Sequence, residues 1–443
     1  MEPLSPPNQP KMRMILIVMV MCSLLQACTT GNANVQSDND EFSIRTNTTK
    51  AGTKKTLIST NADVNYKIYL DNSYSMNGYF NGGSNFLSTV NKLITHLSNV
   101  SDDANTDCNL NYINNGVNYF GNTKNSNIGQ YLAQINNFYS KDKSGDRKVT
   151  DLKDVLRLVI DSIQPNFVNI IISDGIASPG LNGQASDTYL DILQNCIFKS
   201  VYSKLSKIEF TTQIIKCKSN YNGTYINQLN KGIKYEGIER PYYIFIMGDD
   251  IASKQVSEFI RNSIESSHYQ AVVFFNNLHK TTIKSKVLLG TGYEIIGNAT
   301  TMKIHKNDDN LNEIKLRLLT DFTLIPLDDE YLLNPDNYTI KPAGSQISIA
   351  KIANQDDPLN KGFTHKILIT VPNLYSNQSA CISLKYKLPE WIYKTNTLQD
   401  INLSESELKQ KTFGFQYIVN GFMDGYRERK LIDNYFTLNI TNQ

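Results

Sequence analysis

Residues 66–78 read YKIYLDNSYSMNG. An apolar, strand-like run stops at Asp71, and Ser73 and Ser75 follow at alternate positions. In an extended segment, residues two apart project to one side, so one carboxylate and two hydroxyls can face a single point. Two more oxygen-bearing residues stand where elements begin or end. Thr150 opens the helical run TDLKDVLRLVIDSI, and Asp174 closes the apolar run in FVNIIISDG. Hydroxyls and carboxylates are hard oxygen donors. Mg²⁺ takes octahedral oxygen, keeps several waters and uses one or two carboxylates. Two negative charges against a divalent cation leave such a site roughly neutral, with one coordination position open to an outside ligand.

These residues need elements to position them. Lys67 to Leu70 read as a short strand. Phe86, Val90, Leu93 and Leu97 fall at helical spacing behind the Gly-rich stretch GYFNGGSN, which reads as a long loop. In CNLNYINNGVNYFGN, Asn115-Gly116 predicts a hairpin with positive φ at both turn positions. Leu152, Val155, Leu156, Val159, Ile160 and Ile163 make a one-faced helix with Asp151 near its positive end. Phe167 to Ile172 is a nearly continuous apolar run, as a central parallel strand covered on both faces requires. Further helices are predicted over 186–204 and 252–266, and strands over 208–217, 242–247 and 270–275. This order gives a doubly wound α/β domain over 63–280, with a mostly parallel sheet and an antiparallel hairpin at one edge. In such sheets the carboxyl ends of the strands form the ligand crevice, so Asp71, Ser73, Ser75, Thr150 and Asp174 are expected to converge.

From about 281 the texture changes to short alternating runs separated by polar turns: MKIHK, IKLRLL, QISIAKI, HKILITV, ACISLKYKL and a closing YFTLNI. They predict a β-rich, sandwich-like domain over 281–443. One helix interrupts it, with Ser404 and Glu407 in capping-box spacing and Phe415, Ile418 and Phe422 on one face. The acidic pairs at 308–310 and 356–357 lack the central Gly and closing Glu of a calcium loop and read as solvated turns.

The chain has 443 residues, enough for two domains, and a formal charge of +2, which gives no bulk-charge basis for nucleic-acid binding. Lys11 and Arg13 precede an apolar run of about 14 residues, shorter than the roughly 20 that cross a bilayer as a helix. A basic start, a short apolar core and a small residue before its end predict a secretory signal over 1–27. Leu25, Gln26, Ala27 and Cys28 resemble the lipobox of bacterial lipoproteins, in which cleavage precedes the Cys and the Cys is lipidated. That resemblance implies a lipid-anchored envelope protein with a net charge near +1 once the segment is removed. With Thr29 rather than Asp after the Cys, it also implies outer-membrane delivery; the face of display is not readable. Residues 28–62 are polar, lack periodicity and read as a disordered tether. Cys108, Cys196, Cys217 and Cys381 show no CxxC or metal-like spacing, and buried free thiols are the expectation.

Taken in order, DNSYS at a strand end, the Thr of VTDL before a helix and IIISDG at a second strand end resemble the von Willebrand factor A (vWA) domain and its metal-ion-dependent adhesion site. The resemblance covers about residues 63–280. It implies that Ser73, Ser75 and Thr150 donate hydroxyl oxygens to Mg²⁺ (or Mn²⁺ or Ca²⁺), and that Asp71 and Asp174 act mainly through bound water. A carboxylate from a protein partner completes the shell, for adhesion or scaffolding. The region 205–248 holds one strand more than the family's common pattern, so 217–238 reads as an insertion over the site. Tyr221, Tyr225, Tyr235, Tyr242 and Tyr243 crowd it, as strand packing or as a binding rim.

Catalysis is not expected. His96, His268, His279, His305 and His365 all lie away from the strand-end loops, and no G-x-S-x-G elbow surrounds Ser73. An aspartyl-phosphate mechanism would want a second acid where Ser73 stands. The alternatives are a structural subunit of an envelope assembly with an incidental metal, and a metal-dependent hydrolase.

Overall fold

The computed structural model describes residues 63–442 except 82–83, 124–131, 134–146, 148–149, 180–185, 230, 266, 277–284, 289–292, 298–300, 307–312, 324, 326, 328 and 373–378. The signal segment, Cys28, the tether, the acidic run at 308–310 and His279 lie outside the described residues. No helix among the described residues is long and apolar enough to cross a membrane.

The centre is a seven-stranded sheet. In chain order its strands are β1 (Asn65–Asp71), β2 (Cys108–Ile113), β3 (Val117–Asn122), β4 (Phe167–Ser173), β5 (Thr211–Ile226), β6 (Gly232–Gly248) and β7 (Tyr269–Phe275), and their spatial order is β3-β2-β1-β4-β6-β5-β7. β1 is parallel to both β2 and β4, and the other neighbours are antiparallel. Four strands therefore run one way and three the other. The sheet is mixed, with its parallel part confined to β2-β1-β4. The sequence predicted more parallel pairing. The physical reason for the difference is the short connection at 227–231: a direct hairpin can join only antiparallel neighbours, and β6 slots between β4 and β5.

Strand alternation explains the layers. Tyr69, Ile171, Ile214, Tyr243 and Phe245 face one core, while Ile68, Leu70, Ile170, Ile172, Ile244 and Ile246 face the other. The second core is covered by α2 (Ser84–Ala104), through Phe86, Val90, Leu93 and Leu97, and by the helix at 250–263. Before α2 lies α1 (Asn77–Asn81), so the stretch read as a long loop is partly helical. Tyr79 fixes it there: fully buried, it packs edge-on against Tyr221 and Tyr242. The first core is covered by α3 (Leu152–Asp161) and α4 (Asp187–Leu205). α5 is the helix Asp250–Ser263.

The β2–β3 hairpin forms as predicted, with a different turn. Ile113 pairs with Val117 across a three-residue loop, and neither Asn115 nor Gly116 has positive φ. Asn114 instead turns its amide inward to donate to Asn72 Oδ1 at 2.8 Å, bracing the residue next to Asp71.

After residue 284 come β8 (Ser285–Leu288), β9 (Tyr293–Gly297), β10 (Thr301–Lys306), β11 (Glu313–Thr320), β12 (Tyr338–Lys341), β13 (Gln346–Lys351), β14 (His365–Pro372), β15 (Ser379–Lys385), β16 (Asn396–Thr397), β17 (Thr412–Phe413) and β18 (Asn434–Asn442). They build a five-stranded sheet, β12-β15-β18-β10-β9, and a four-stranded one, β13-β14-β11-β8. Ile314, Leu316 and Leu318 of β11 and Ile367 and Ile369 of β14 share one core with Ile382 and Leu384 of β15 and Leu438 of β18.

The C-terminal helix α6 (Phe415–Glu428) is not the one the capping box starts. Ser404 and Glu407 do form that box, but over the four-residue helix Glu405–Leu408. The chain then passes through β17 and enters α6 at Gly414, which has φ 68°. Short helices also lie at Asp329–Leu333 and Glu390–Thr395. α6 lies on the central sheet, with Phe415 stacked on Tyr243 at 4.0 Å and Phe422 against Phe275 at 6.3 Å. The regions the sequence separates near residue 280 thus share one hydrophobic core.

Candidate functional site

The five residues singled out by spacing meet. Asp71, Ser73, Ser75, Thr150 and Asp174 line one cavity of about 40 Å³ at the carboxyl ends of β1 and β4, together with Ser173. That space exceeds what one water requires. Asp71 is 1% exposed and Asp174 4%, so both carboxylates are withdrawn from bulk solvent.

Asp71 organises the cluster. Its Oδ1 accepts from the Ser73 backbone N–H at 3.0 Å and from Thr150 Oγ1 at 2.9 Å, and its Oδ2 accepts from Ser173 Oγ at 2.7 Å. A hydroxyl that donates to Asp71 keeps its lone pairs available on the cavity side. Ser73 Oγ and Ser75 Oγ are 3.1 Å apart. The Ser75 carbonyl accepts from Tyr221 Oη at 3.0 Å, so the loop is held from the hairpin side as well. Thr150 reaches Asp71 because α3 starts immediately behind it, with Asp151 as its cap accepting from Asp154 N at 3.2 Å. Asp174 is held by the Ile176 N–H at 3.3 Å. Ala177 N donates to the Phe413 carbonyl at 3.0 Å, so β17 fixes the loop that follows Asp174.

Three parts of the site were not legible from spacing. Ser173 is one: β1 and β4 pair Leu70 with Ile172, and one step further sets Ser173 beside Asp71, but register is not written in a single sequence. The hairpin tip is the second. β5 and β6 extend past the sheet, and Ile226, Asn227 and Gln228 form a wall of the cavity, where the insertion at 217–238 was expected to lie. Phe413, from the far end of the chain, is the third. The tip is itself tied down by Asp400, whose Oδ1 accepts from Gln228 N at 2.8 Å and whose Oδ2 accepts from Tyr225 Oη.

Of the other candidates, Cys108 and Cys217 are buried thiols and Cys196 and Cys381 half-buried ones, with no disulfide among them. His96 stacks on Phe259 and His365 packs near Phe322. Tyr221, Tyr225, Tyr242 and Tyr243 are buried strand residues. Asp357 Oδ1 accepts from Leu359 N at 2.9 Å, an ordinary polar turn.

The electrostatics follow from the burial. Desolvation pushes the Asp174 carboxyl up to about 6, and the nearby Asp71 charge pushes the same way; the Ser75 hydroxyl and the Arg240 charge oppose them. Burial also raises Asp71, against the hydrogen bonds of Ser173, Ser73 and Thr150. A carboxyl raised in the folded state stabilises the fold while protonated, below its ordinary value near 3.8, and that contribution is lost as pH rises through about 6. In chelator, the parent should therefore lose on the order of 2 kcal/mol more than Asp174→Asn between pH 4.5 and pH 7.5. Denaturant melts at the two pH values measure this, and equal losses would show that Asp174 carries no such strain.

The donor set is all oxygen. Among the described residues no three His, Cys, Asp or Glu side chains gather in one place; here two carboxylates are joined by hydroxyls. Two desolvated carboxylates facing one small cavity, with hydroxyls between them, fit a hard divalent cation and do not fit zinc or copper. No protein-family model matches the chain and no curated protein matches it, so the geometry of this oxygen-lined cavity is what bears on function.

Proposed function

We propose that the chain is a vWA-type protein that holds a divalent cation, Mg²⁺ with Mn²⁺ or Ca²⁺ as substitutes, and uses it to bind the carboxylate of a protein partner. Ser73, Ser75 and Thr150 offer hydroxyl oxygens to the ion, while Asp71 and Asp174 act through bound water and supply the balancing charge. Neutral hydroxyls bind the ion without cancelling its charge, so it keeps its attraction for an acidic group. The observation that supports this reading is the convergence of five oxygen-bearing side chains, from three separate segments, on one small, partly open cavity.

The partner enters the same reading by its chemistry. It offers an Asp or Glu on a slender segment, because the small cavity is also lined by Ile226, Asn227 and Gln228 of the hairpin tip and by Ile176 to Pro179. The role is adhesion or scaffolding at the cell envelope, with Cys28 as the lipid anchor, an outer-membrane address and no catalysis. A pull-down from envelope extract with the full chain tests it. Partner capture should require Mg²⁺, fail in EDTA and return when Mg²⁺ is restored. Capture that survives EDTA would instead identify a structural subunit whose metal is incidental.

A further inference from the structure

We propose that Arg240 is a positioning residue for this site: its guanidinium, caged by two tyrosines of which one is bonded to the Ser75 loop, sets how strongly the two carboxylates attract a cation. The inference rests on the cation reading above. Arg240 is 1% exposed, one of the largest fully buried side chains. Among the described residues its Nη1 and Nη2 meet no carboxylate, and Tyr79 is its side-chain hydrogen-bonding neighbour. A buried cation without a paired acceptor is costly, and such a group calls for an explanation.

The surroundings supply one. The guanidinium lies 4.3 Å from the Tyr225 ring centroid and 5.5 Å from that of Tyr221, within cation–π range. Each of these rings is tied to the site. Tyr221 donates to the Ser75 carbonyl at 3.0 Å, and Tyr225 donates to Asp400. The tyrosine cage thus holds a fixed positive charge under the loop that carries Ser73 and Ser75. That charge acts on Asp174 and also on Asp400. Arg240 offsets part of the negative charge the cation meets, so it weakens cation binding and leaves the loaded site more positive towards an incoming carboxylate. Asp400 draws off part of the Arg240 field and does the reverse.

The two variants should move in opposite directions, which a purely structural arginine would not produce. Titration calorimetry of Mg²⁺ into the full chain is the measurement. Arg240→Met should bind Mg²⁺ about tenfold more tightly than the parent, since removing a like charge across a low-dielectric gap strengthens the attraction. Arg240→Lys, which keeps the charge, should stay within about threefold. Asp400→Asn keeps one acceptor, for the Gln228 N–H, and turns the other contact round, its amide donating to Tyr225 Oη; it should bind Mg²⁺ about threefold more weakly. If Arg240→Met fails to fold, Arg240→Gln, which also removes the charge, decides in its place by the same sign. Unchanged or weakened binding in Arg240→Met, or tighter or unchanged binding in Asp400→Asn, overturns the role of Arg240. A parent that takes up no Mg²⁺ overturns the cation site itself, together with this inference.

Discussion

Asp71→Ala should abolish the thermal stabilisation that Mg²⁺ gives the parent. Asp71 touches three parts of the cluster at once, accepting from Ser73, Thr150 and Ser173. Its loss removes half the carboxylate charge and frees the Thr150 and Ser173 hydroxyls to rotate away from the cavity. A ligand present at a hundred times its dissociation constant stabilises the state it binds by about 2.7 kcal/mol, and this increment should vanish in the variant. The fold itself should survive. The substitution leaves three buried donors without their acceptor, at about 1–3 kcal/mol each before water enters, but it also relieves the repulsion between Asp71 and Asp174. Melting curves with Mg²⁺ and with EDTA, for parent and variant, give the answer. A variant that still gains as much from Mg²⁺ as the parent does would show that the cation sits elsewhere.

Phe422→Ala should lower the stability of the central sheet, although Phe422 lies nearly 150 residues beyond the last strand of that sheet. Its ring is fully buried, stacked with Phe275 at 6.3 Å and near Phe245 at 6.4 Å. Removing a buried Phe side chain costs about 3–5 kcal/mol through lost transfer energy and the remaining cavity. Because α6 contributes to the core under β6 and β7, the loss should appear in one cooperative transition that carries sheet and C-terminal region down together. Calorimetry is the direct measurement. Two transitions, with the one assigned to the central sheet unmoved by the substitution, would show that the C-terminal region folds as an independent body.

Much of the fold could be read from periodicity, because burial imposes it locally. The run Phe167–Ile172 had to be a strand covered on both sides, and Ile171 and its neighbours do face two separate cores. The α3 helix begins where its apolar spacing and its Asp151 cap place it. The direct joining of β5 to β6 and the great length of both strands were harder to see. A run of Tyr, Thr and Lys residues alternates only weakly, and what holds the strands straight is their pairing with each other over fifteen residue pairs. The stretch at 77–81 gave no helical signal because Gly and Asn disfavour helices; the burial of Tyr79 overrides that preference. The capping box at Ser404 was a true local signal attached to the wrong helix, since a four-residue turn and a long helix have the same start.

For the site, the sequence determined the donors: one Asp and two Ser at alternate positions after a strand, a Thr before a helix, and an Asp after a second strand. Each is a local fact, fixed by the spacing of neighbouring side chains. Only the tertiary structure decided what shares the cavity with them. Ser173 arrives by strand register, Phe413 by the path of the C-terminal chain, and Arg240 and Asp400 by the packing of a long hairpin against distant loops. These are meetings between residues far apart in the chain, selected by the close packing of one core, and no local pattern of residue types encodes them.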